Sequence, residues 1–271
     1  MRTLQVRADG VRRTMSRATD RSDEPAAVRP EVAHAACGVP EAGQLGERTA
    51  EGGVVLFDLD GVLTRKDTFA TLVTRRLRTS PWRLLLAVPA LPLLALTVLW
   101  PRWRGPVSRY LVRIALLAAS PESTRMVTTD LAREFVATPQ WLNSPGLTAA
   151  RRHLDSGDRV VVVTATEEQL ARTLLDHLGL TAAEVIGSRV APAALGAWLR
   201  PHNYGGAKYE ALRARDVPRP WRVMYTDSWA DAPVLRHVEQ VVLVRPSPSL
   251  LRRARRRLAV PVVPLPGRSG R

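Results

Sequence analysis

The chain has 271 residues, 45% of them hydrophobic and 24% charged, which suits one sizeable domain with an insertion or two small ones. A single cysteine, Cys37, excludes a disulfide framework and a cysteine-based zinc site. Forty Lys+Arg against 25 Asp+Glu give a net charge of +15, which favours anionic partners such as phosphorylated substrates, acidic lipid surfaces or nucleic acid. The alternative is a surface solvated mainly by arginine, since Lys66 and Lys208 are the only lysines.

Residues 1–53 mix charge, Ala, Gly and Pro without apolar periodicity and read as a disordered leader. No apolar stretch follows the early arginines, so a secretory signal is not expected. Order begins at Val54-Val55-Leu56-Phe57, a short apolar run of the kind that forms a buried parallel strand and ends here in Asp58. Strands are also predicted at Arg159–Val163, Arg222–Tyr225 and Val241–Val244. Helices are predicted at Pro145–Ser156, Glu167–Leu178, Ala207–Arg215 and Asp231–His237. The alternation predicts a doubly wound α/β fold with a parallel sheet, formed by residues 54–66 and 141–246.

The first two strands are too far apart for one crossover. Residues 67–140 read as an inserted helical cap. Within it, residues 84–100 carry no charge and are broken by Pro89 and Pro92. This length is at the lower edge of a membrane span. Arginines and tryptophans flank the run (Trp82, Arg83, Trp100, Arg102, Trp103, Arg104), which suits interfacial or re-entrant contact with a bilayer; a buried cap helix is the alternative. Residues 247–271 read as a basic tail. Its Arg252–Arg257 cluster fits a basic helix on lipid headgroups better than a nucleic-acid site, because no nucleic-acid motif accompanies it. Nucleic acid is therefore not an expected partner, and the oligomeric state stays open.

The polar residues of interest follow strand ends, the edge at which ligands bind in open α/β sheets. Asp58-Leu59-Asp60-Gly61 places two carboxylates two residues apart at a turn that Gly61 permits. Such a pair can hold Mg2+ or supply a nucleophile and a proton donor, although Asp-x-Asp alone is a weak signal. Thr164-Ala165-Thr166 offers a hydroxyl, backbone N–H groups and a following helix N-terminus to a phosphate; by itself it reads equally as a helix cap. Lys208 stands behind Gly205-Gly206 as a point charge, and Asp227 and Asp231 bring two more carboxylates to the same edge.

Together and in this order, the four pieces resemble the haloacid-dehalogenase superfamily of aspartyl phosphatases over about Val54–Val244. The resemblance implies Asp58 as the nucleophile that forms an aspartyl-phosphate and Asp60 as acid and then base. It implies Thr164 and Ala165 at the phosphoryl group, with Lys208 balancing its charge. Mg2+ would be held by Asp58, the Asp60 carbonyl and Asp227, with Asp231 supporting the metal site. The position of the helical insertion is similar to the phosphoserine-phosphatase-like branch. The apolar, proline-broken cap run after Pro81 and the pattern Asp227-Ser228 with Asp231 and Pro233 resemble the phosphatidylglycerophosphatase C group, which removes the terminal phosphate of phosphatidylglycerophosphate. That resemblance implies a lipid phosphate substrate and a place at the cytoplasmic face of a membrane; a soluble metabolite handled in the cytoplasm is the alternative. Two positions depart from the pattern: Thr226 stands where glycine is common, and Thr164-Ala165-Thr166 replaces Thr-Gly-Ser.

Overall fold

The computed structural model describes residues 52–90, 92–93, 104–193, 196–199 and 203–266. The expected leader, except its last two residues, lies outside the described residues, as do Leu91 and residues 94–103 of and after the apolar run. The described core is a six-stranded parallel sheet in the order β3-β2-β1-β6-β7-β8. Its strands are β1 (Val54–Phe57), β2 (Arg159–Glu167), β3 (Glu184–Ser188), β6 (Trp221–Thr226), β7 (Val238–Val244) and β8 (Val262–Leu265). A separate antiparallel hairpin, β4 (Val190–Ala193) and β5 (Gly196–Leu199), follows β3.

Every residue of β1 is buried, which is why its sequence is continuously apolar rather than alternating. Val55 and Phe57 face one cluster, with Val160 and Val162 of β2; Val54 and Leu56 face the other, with Val161 and Val163. The two-residue period of the strand divides its side chains between the two faces. The first face is covered by α5 (Ser144–Asp155) and α6 (Glu168–His177). The second is covered by α7 (Gly206–Ala214), α8 (Ala232–Leu235) and α9 (Pro248–Arg257).

The insertion is helical where it is described: α1 (Thr68–Arg78), α2 (Pro81–Ala87), α3 (Arg104–Ala115) and α4 (Pro121–Ala137). Leu72 of α1 and Leu131 and Phe135 of α4 join the first core cluster, so the insertion shares a core with the sheet domain. Its entry and exit are tied together by Arg65 N–H donating to Trp141 O at 2.7 Å. No helix among the described residues is long and apolar enough to cross a membrane.

Three expectations from the sequence need correction. The chain past residue 247 is not a tail apart from the domain. α9 buries Ala254, and β8 pairs with β7 from Val241↔Val262 to Val244↔Leu265. The run Val262-Val263-Pro264-Leu265 reads poorly as a strand because of its proline, but an edge strand tolerates one. β2 runs past Val163 to Glu167, and its register with β3 shifts between Val163 and Glu167. The helix expected over Asp231–His237 reduces to a 3-10 turn at Trp229–Asp231 and the four residues of α8.

Candidate active site

Asp58 leaves the end of β1, whose last pairs are Phe57↔Val162 on one side and Phe57↔Tyr225 on the other. Its N–H donates to Tyr225 O at 3.0 Å, so β6 fixes the backbone of the residue. Its carboxylate is 2.6 Å from the Lys208 ammonium through Oδ2 and accepts from Leu59 N–H at 2.8 Å through Oδ1. Lys208 sits in the first turn of α7. Gly205 caps that helix at a positive φ of 59°, a conformation glycine adopts freely.

The ammonium also lies 3.0 Å from Asp231 Oδ1 and 3.2 Å from its Oδ2. All three groups are buried, Lys208 at 3% exposure and Asp231 at 1%. Thr226 Oγ1 donates to Asp231 Oδ2 at 2.7 Å and accepts from Ser228 N–H at 3.1 Å. The residue standing where glycine is common thus ties the Asp227 loop to the lysine clamp. Asp231 holds Lys208 directly, a more specific role than support of a metal site.

One cation faces two carboxyl groups, which would leave a buried net charge of −1 if both were ionised. Burial drives Asp58 up to about 8, against the pull of Lys208. Burial alone would lower the Lys208 pKa, but Asp58 and Asp231 outweigh it and hold the ammonium above its ordinary value. A carboxyl held neutral is no nucleophile, so the arrangement calls for more positive charge beside Asp58. Asp227 is pushed up first by burial and then by the nearby Asp231 carboxylate. It packs against the turn after Asp60, where a Cβ added to Gly61 would come within 1.9 Å of Asp227 Oδ2. No group of three or more His, Cys, Asp or Glu that could hold a metal occurs among the described residues. Asp58 and Asp227 follow the ends of the neighbouring strands β1 and β6, so their two carboxylates, with the Asp60 carbonyl, could serve as donors. This small hard-oxygen set suits Mg2+, which keeps several waters of its own.

Gly61 is at φ 82° and meets Asp227 at close range, so Gly61→Ala combines backbone strain with a clash. We expect this variant to lose roughly 10²-fold in kcat, the scale of a misplaced catalytic group, and 1–3 kcal/mol of stability on the order expected for backbone strain. Steady-state kinetics and thermal melting check both, and near-wild-type turnover would show that the Gly61–Asp227 contact is dispensable.

Asp60 is held by threonines. Its Oδ1 accepts from Thr68 N–H at 2.8 Å and Thr64 Oγ1 at 3.2 Å, and its Oδ2 accepts from Thr166 Oγ1 at 2.7 Å. Burial, then the neighbouring Asp67 charge, raises its pKa, the direction that suits a proton donor. Thr164 is fully buried, and its hydroxyl accepts from Thr166 N–H at 3.0 Å. Among the described residues it makes no hydrogen bond to Asp58 or Asp60. The N-terminus of α6 is also not open to a phosphate: Glu167 caps it, accepting from Gln169 N–H at 3.0 Å and Leu170 N–H at 2.7 Å. Ala165 O accepts from Ser188 Oγ at 2.7 Å, and Ser188 Oγ accepts from Asn203 N–H at 3.0 Å. This chain joins the β2 turn to the loop before Lys208.

Thr166 and Thr226 stand in motifs visible in the sequence, and Thr68 and Ser188 in none, but the partners of all four are set by tertiary contacts that the sequence does not mark. His153 of α5 likewise belongs to no motif. His153 Nδ1 lies 2.7 Å from Asp158 Oδ2 and its Nε2 lies 3.0 Å from the Tyr225 hydroxyl; Arg222 donates to the same Asp158 Oδ2, and Gly53 N–H donates to Oδ1 at 3.1 Å. Tyr225 stacks on Phe57 with centroids 4.3 Å apart. This buried network sits behind the strand residues that precede Asp58 and Asp227.

Residues 55–236 match the family model of haloacid dehalogenase-like hydrolases. Over 129 residues the chain is 31% identical to a protein of Mycobacterium leprae named as a hydrolase, covering 46% of this chain and 42% of that one. It is likewise 31% identical over 129 residues to a phosphoserine phosphatase of Mycobacterium tuberculosis, covering 46% and 41%. The match thus spans less than half the length of these curated relatives. A Bordetella pertussis protein of unknown function shares the fold, with TM-score 0.59 and 20% identity over 79% of this chain and 98% of that one.

Proposed function

The chain belongs to the haloacid dehalogenase-like hydrolases, and on that premise we propose that it is a Mg2+-dependent phosphatase acting through an aspartyl-phosphate on Asp58. The observation that carries this reading is the buried clamp in which Lys208 lies 2.6 Å from Asp58 and 3.0 Å from Asp231. In it a nucleophile carboxylate and a fixed cation meet at the carboxyl edge of the sheet, where the phosphoryl group would arrive. Asp58 attacks phosphorus, and the leaving alkoxide takes the proton of Asp60 as the ester P–O bond breaks. Asp60, now ionised, takes a proton from water as that water attacks the aspartyl-phosphate; Asp58 and inorganic phosphate separate, and Asp60 is again protonated. Lys208 offsets the repulsion between a carboxylate and a phosphate dianion. Asp58, Asp227 and the Asp60 carbonyl would hold Mg2+, which supplies further neutralisation of charge on the transferring group. Thr164 and Ala165 would border the phosphoryl site from the β2 turn.

The substrate reading is a lipid phosphate, of which phosphatidylglycerophosphate is the leading candidate, taken at the cytoplasmic face of an anionic bilayer. What supports it is the exposed apolar surface of α2 and the segment after it: Trp82, Leu84, Leu86, Val88 and Leu93 are each 43–48% exposed, and Leu85 reaches 72%. A soluble protein gains nothing by showing such a patch to water, whereas an interfacial helix buries it among acyl chains. α9 adds Arg252, Arg253, Arg255, Arg256 and Arg257, and Arg253 lies over the Trp229 ring at 4.7 Å, beside the Asp227–Asp231 loop. Each arginine near an acidic surface contributes roughly 1 kcal/mol. The likeness to a phosphoserine phosphatase supports the second reading, a small soluble phosphate ester.

A panel of phosphatidylglycerophosphate, phosphatidate, phosphoserine and glycerol phosphate, assayed with Mg2+ and with EDTA, separates these readings. We expect Mg2+-dependent turnover, fastest on a lipid phosphate presented in anionic vesicles, with which the protein co-floats. Preference for phosphoserine, and a protein that stays at the bottom of the gradient, would favour the soluble reading. Activity undiminished by EDTA would overturn the metal assignment.

A further inference from the structure

The hydroxyls around Asp60 form a chain with a single consistent direction. Thr166 Oγ1 lies 2.7 Å from Asp60 Oδ2 and 2.8 Å from Thr68 Oγ1. A hydroxyl carries one hydrogen. An ionised Asp60 can only accept, so Thr166 gives it that hydrogen, and Thr68 must then donate to Thr166. Thr68 also sends its backbone N–H to Asp60 Oδ1 at 2.8 Å. Both threonines are fully buried, so water does not replace a lost bond. The two come from different parts of the fold: Thr166 from β2 of the sheet domain, Thr68 as the first residue of α1, the first helix of the insertion.

We propose that Thr166 and Thr68 are positioning residues that aim the Asp60 carboxyl at the leaving oxygen, so that the general acid is set only while the first cap helix is docked on β2. The proposal rests on the phosphatase reading above and adds to it a coupling between the insertion and one proton transfer. The two bonds to Asp60 hold both its oxygens from the side of the cap junction. Thr64 Oγ1, 3.2 Å from Oδ1, takes up the second lone pair of that oxygen, so the one left over is on Oδ2, turned away from Thr166, and a proton carried there is the one available for transfer. Asp67, which caps α1 by accepting from Ala70 N–H at 2.7 Å, fixes the helix start and with it the direction of the Thr68 N–H. The entry and exit of the insertion are bonded through Arg65 and Trp141, so a shift of the cap is transmitted to the turn that carries Thr68.

The test is a leaving-group comparison in the full-length protein with Mg2+, read as kcat/KM, which covers only the steps up to aspartyl-phosphate formation. Glycerol phosphate needs its leaving oxygen protonated; p-nitrophenyl phosphate hardly does. Thr166→Val keeps the shape and removes the hydroxyl. We expect it to lose roughly 10- to 100-fold on glycerol phosphate, part of the 10²–10⁴ a general acid supplies, and less than about threefold on p-nitrophenyl phosphate. Thr166→Ser should restore the glycerol phosphate rate to within about threefold of wild type. Thr68→Val, which keeps the backbone N–H, should show a smaller loss with the same leaving-group bias. Asp60→Asn calibrates the full effect. If Asp60→Asn discriminates between the esters while Thr166→Val loses equally on both, or if Thr166→Ser is no better than Thr166→Val, the positioning role is overturned and the acid assignment stands. If the wild type cleaves neither these esters nor any phosphate of the panel above, the phosphatase reading itself fails and the proposal with it.

Discussion

Asp58→Asn leaves a folded protein with kcat reduced by roughly 10⁴-fold or more, the scale seen when an enzyme loses its nucleophile. The amide has nearly the same shape, so the ends of β1 and β6 need not move, and Asp58 N–H still meets Tyr225 O. What is lost is the oxygen that bonds to phosphorus. The folding consequence runs the other way. Burial pushes the Asp58 carboxyl up to about 8, which means that the folded protein disfavours the charge there. A neutral amide removes that penalty and leaves Lys208 paired with Asp231 alone. The thermal midpoint should therefore equal or exceed that of the wild type. Two measurements decide it: turnover with Mg2+ together with acid-quench trapping of a phosphoenzyme, and a melting curve. Residual turnover within about tenfold of wild type, or a phosphoenzyme still formed by the variant, would remove Asp58 from the nucleophile's place.

The parts of this molecule legible in the sequence were those written in local chemistry. Val54–Phe57 and Val160–Val163 announce buried parallel strands because nothing polar interrupts them, and each ends in a residue that matters. Asp58 and Asp227 stand just past strand ends, with Asp60 in the turn after the first, while Lys208 lies in the first turn of α7 and Asp231 closes the short turn after Asp227; the alternation of strands and helices is what brings Asp58, Lys208 and Asp231 into contact. β3 and β8 were hidden for a physical reason. Glu184-Val185-Ile186-Gly187-Ser188 is short and carries a glycine, and β8 contains Pro264; both lie at the edges of the sheet, where burial imposes less pattern. The threonines around Asp60 were illegible because their meaning is purely tertiary. Thr68 and Thr166 are 98 positions apart, and neither residue type nor spacing marks them. The same holds for Arg253 and Trp229, which join the basic helix to the loop between Asp227 and Asp231 although nothing local links them. The expected use of the α6 N-terminus failed on a detail of a different kind. The helix starts one residue later than expected, at Glu168, and Glu167, now its cap, takes the free N–H groups for itself.

Lys208→Met is the substitution with the largest expected effect on folding, and it removes activity as well. The methionine fills a similar volume but leaves Asp58 and Asp231 facing each other in a pocket where they are 8% and 1% exposed. Breaking a buried ion pair from one side costs about 3–5 kcal/mol. The carboxylates have one escape, which is to take up a proton, and this gives the loss a definite pH dependence. A carboxyl whose folded pKa lies above its unfolded value contributes stability below the unfolded pKa and loses it as pH rises through the folded one. Asp58 is already pushed up to about 8 with the lysine present, and without the ammonium the pull that opposes burial is gone. The deficit relative to wild type should thus be small near pH 5, where a proton stands in for the ammonium. It should widen towards pH 8, because keeping protons on the two carboxyls in place of the ammonium costs more as the pH rises. Lys208→Arg keeps the charge but asks a planar, longer group to fit between two carboxylates spaced for a compact ammonium, so it should recover part of the stability and little of the turnover. Urea denaturation at both pH values reads the effect directly. An equal deficit at pH 5 and pH 8 would mean that the lysine stabilises the protein by packing rather than by its charge, and the clamp would lose its place as the electrostatic centre of the site.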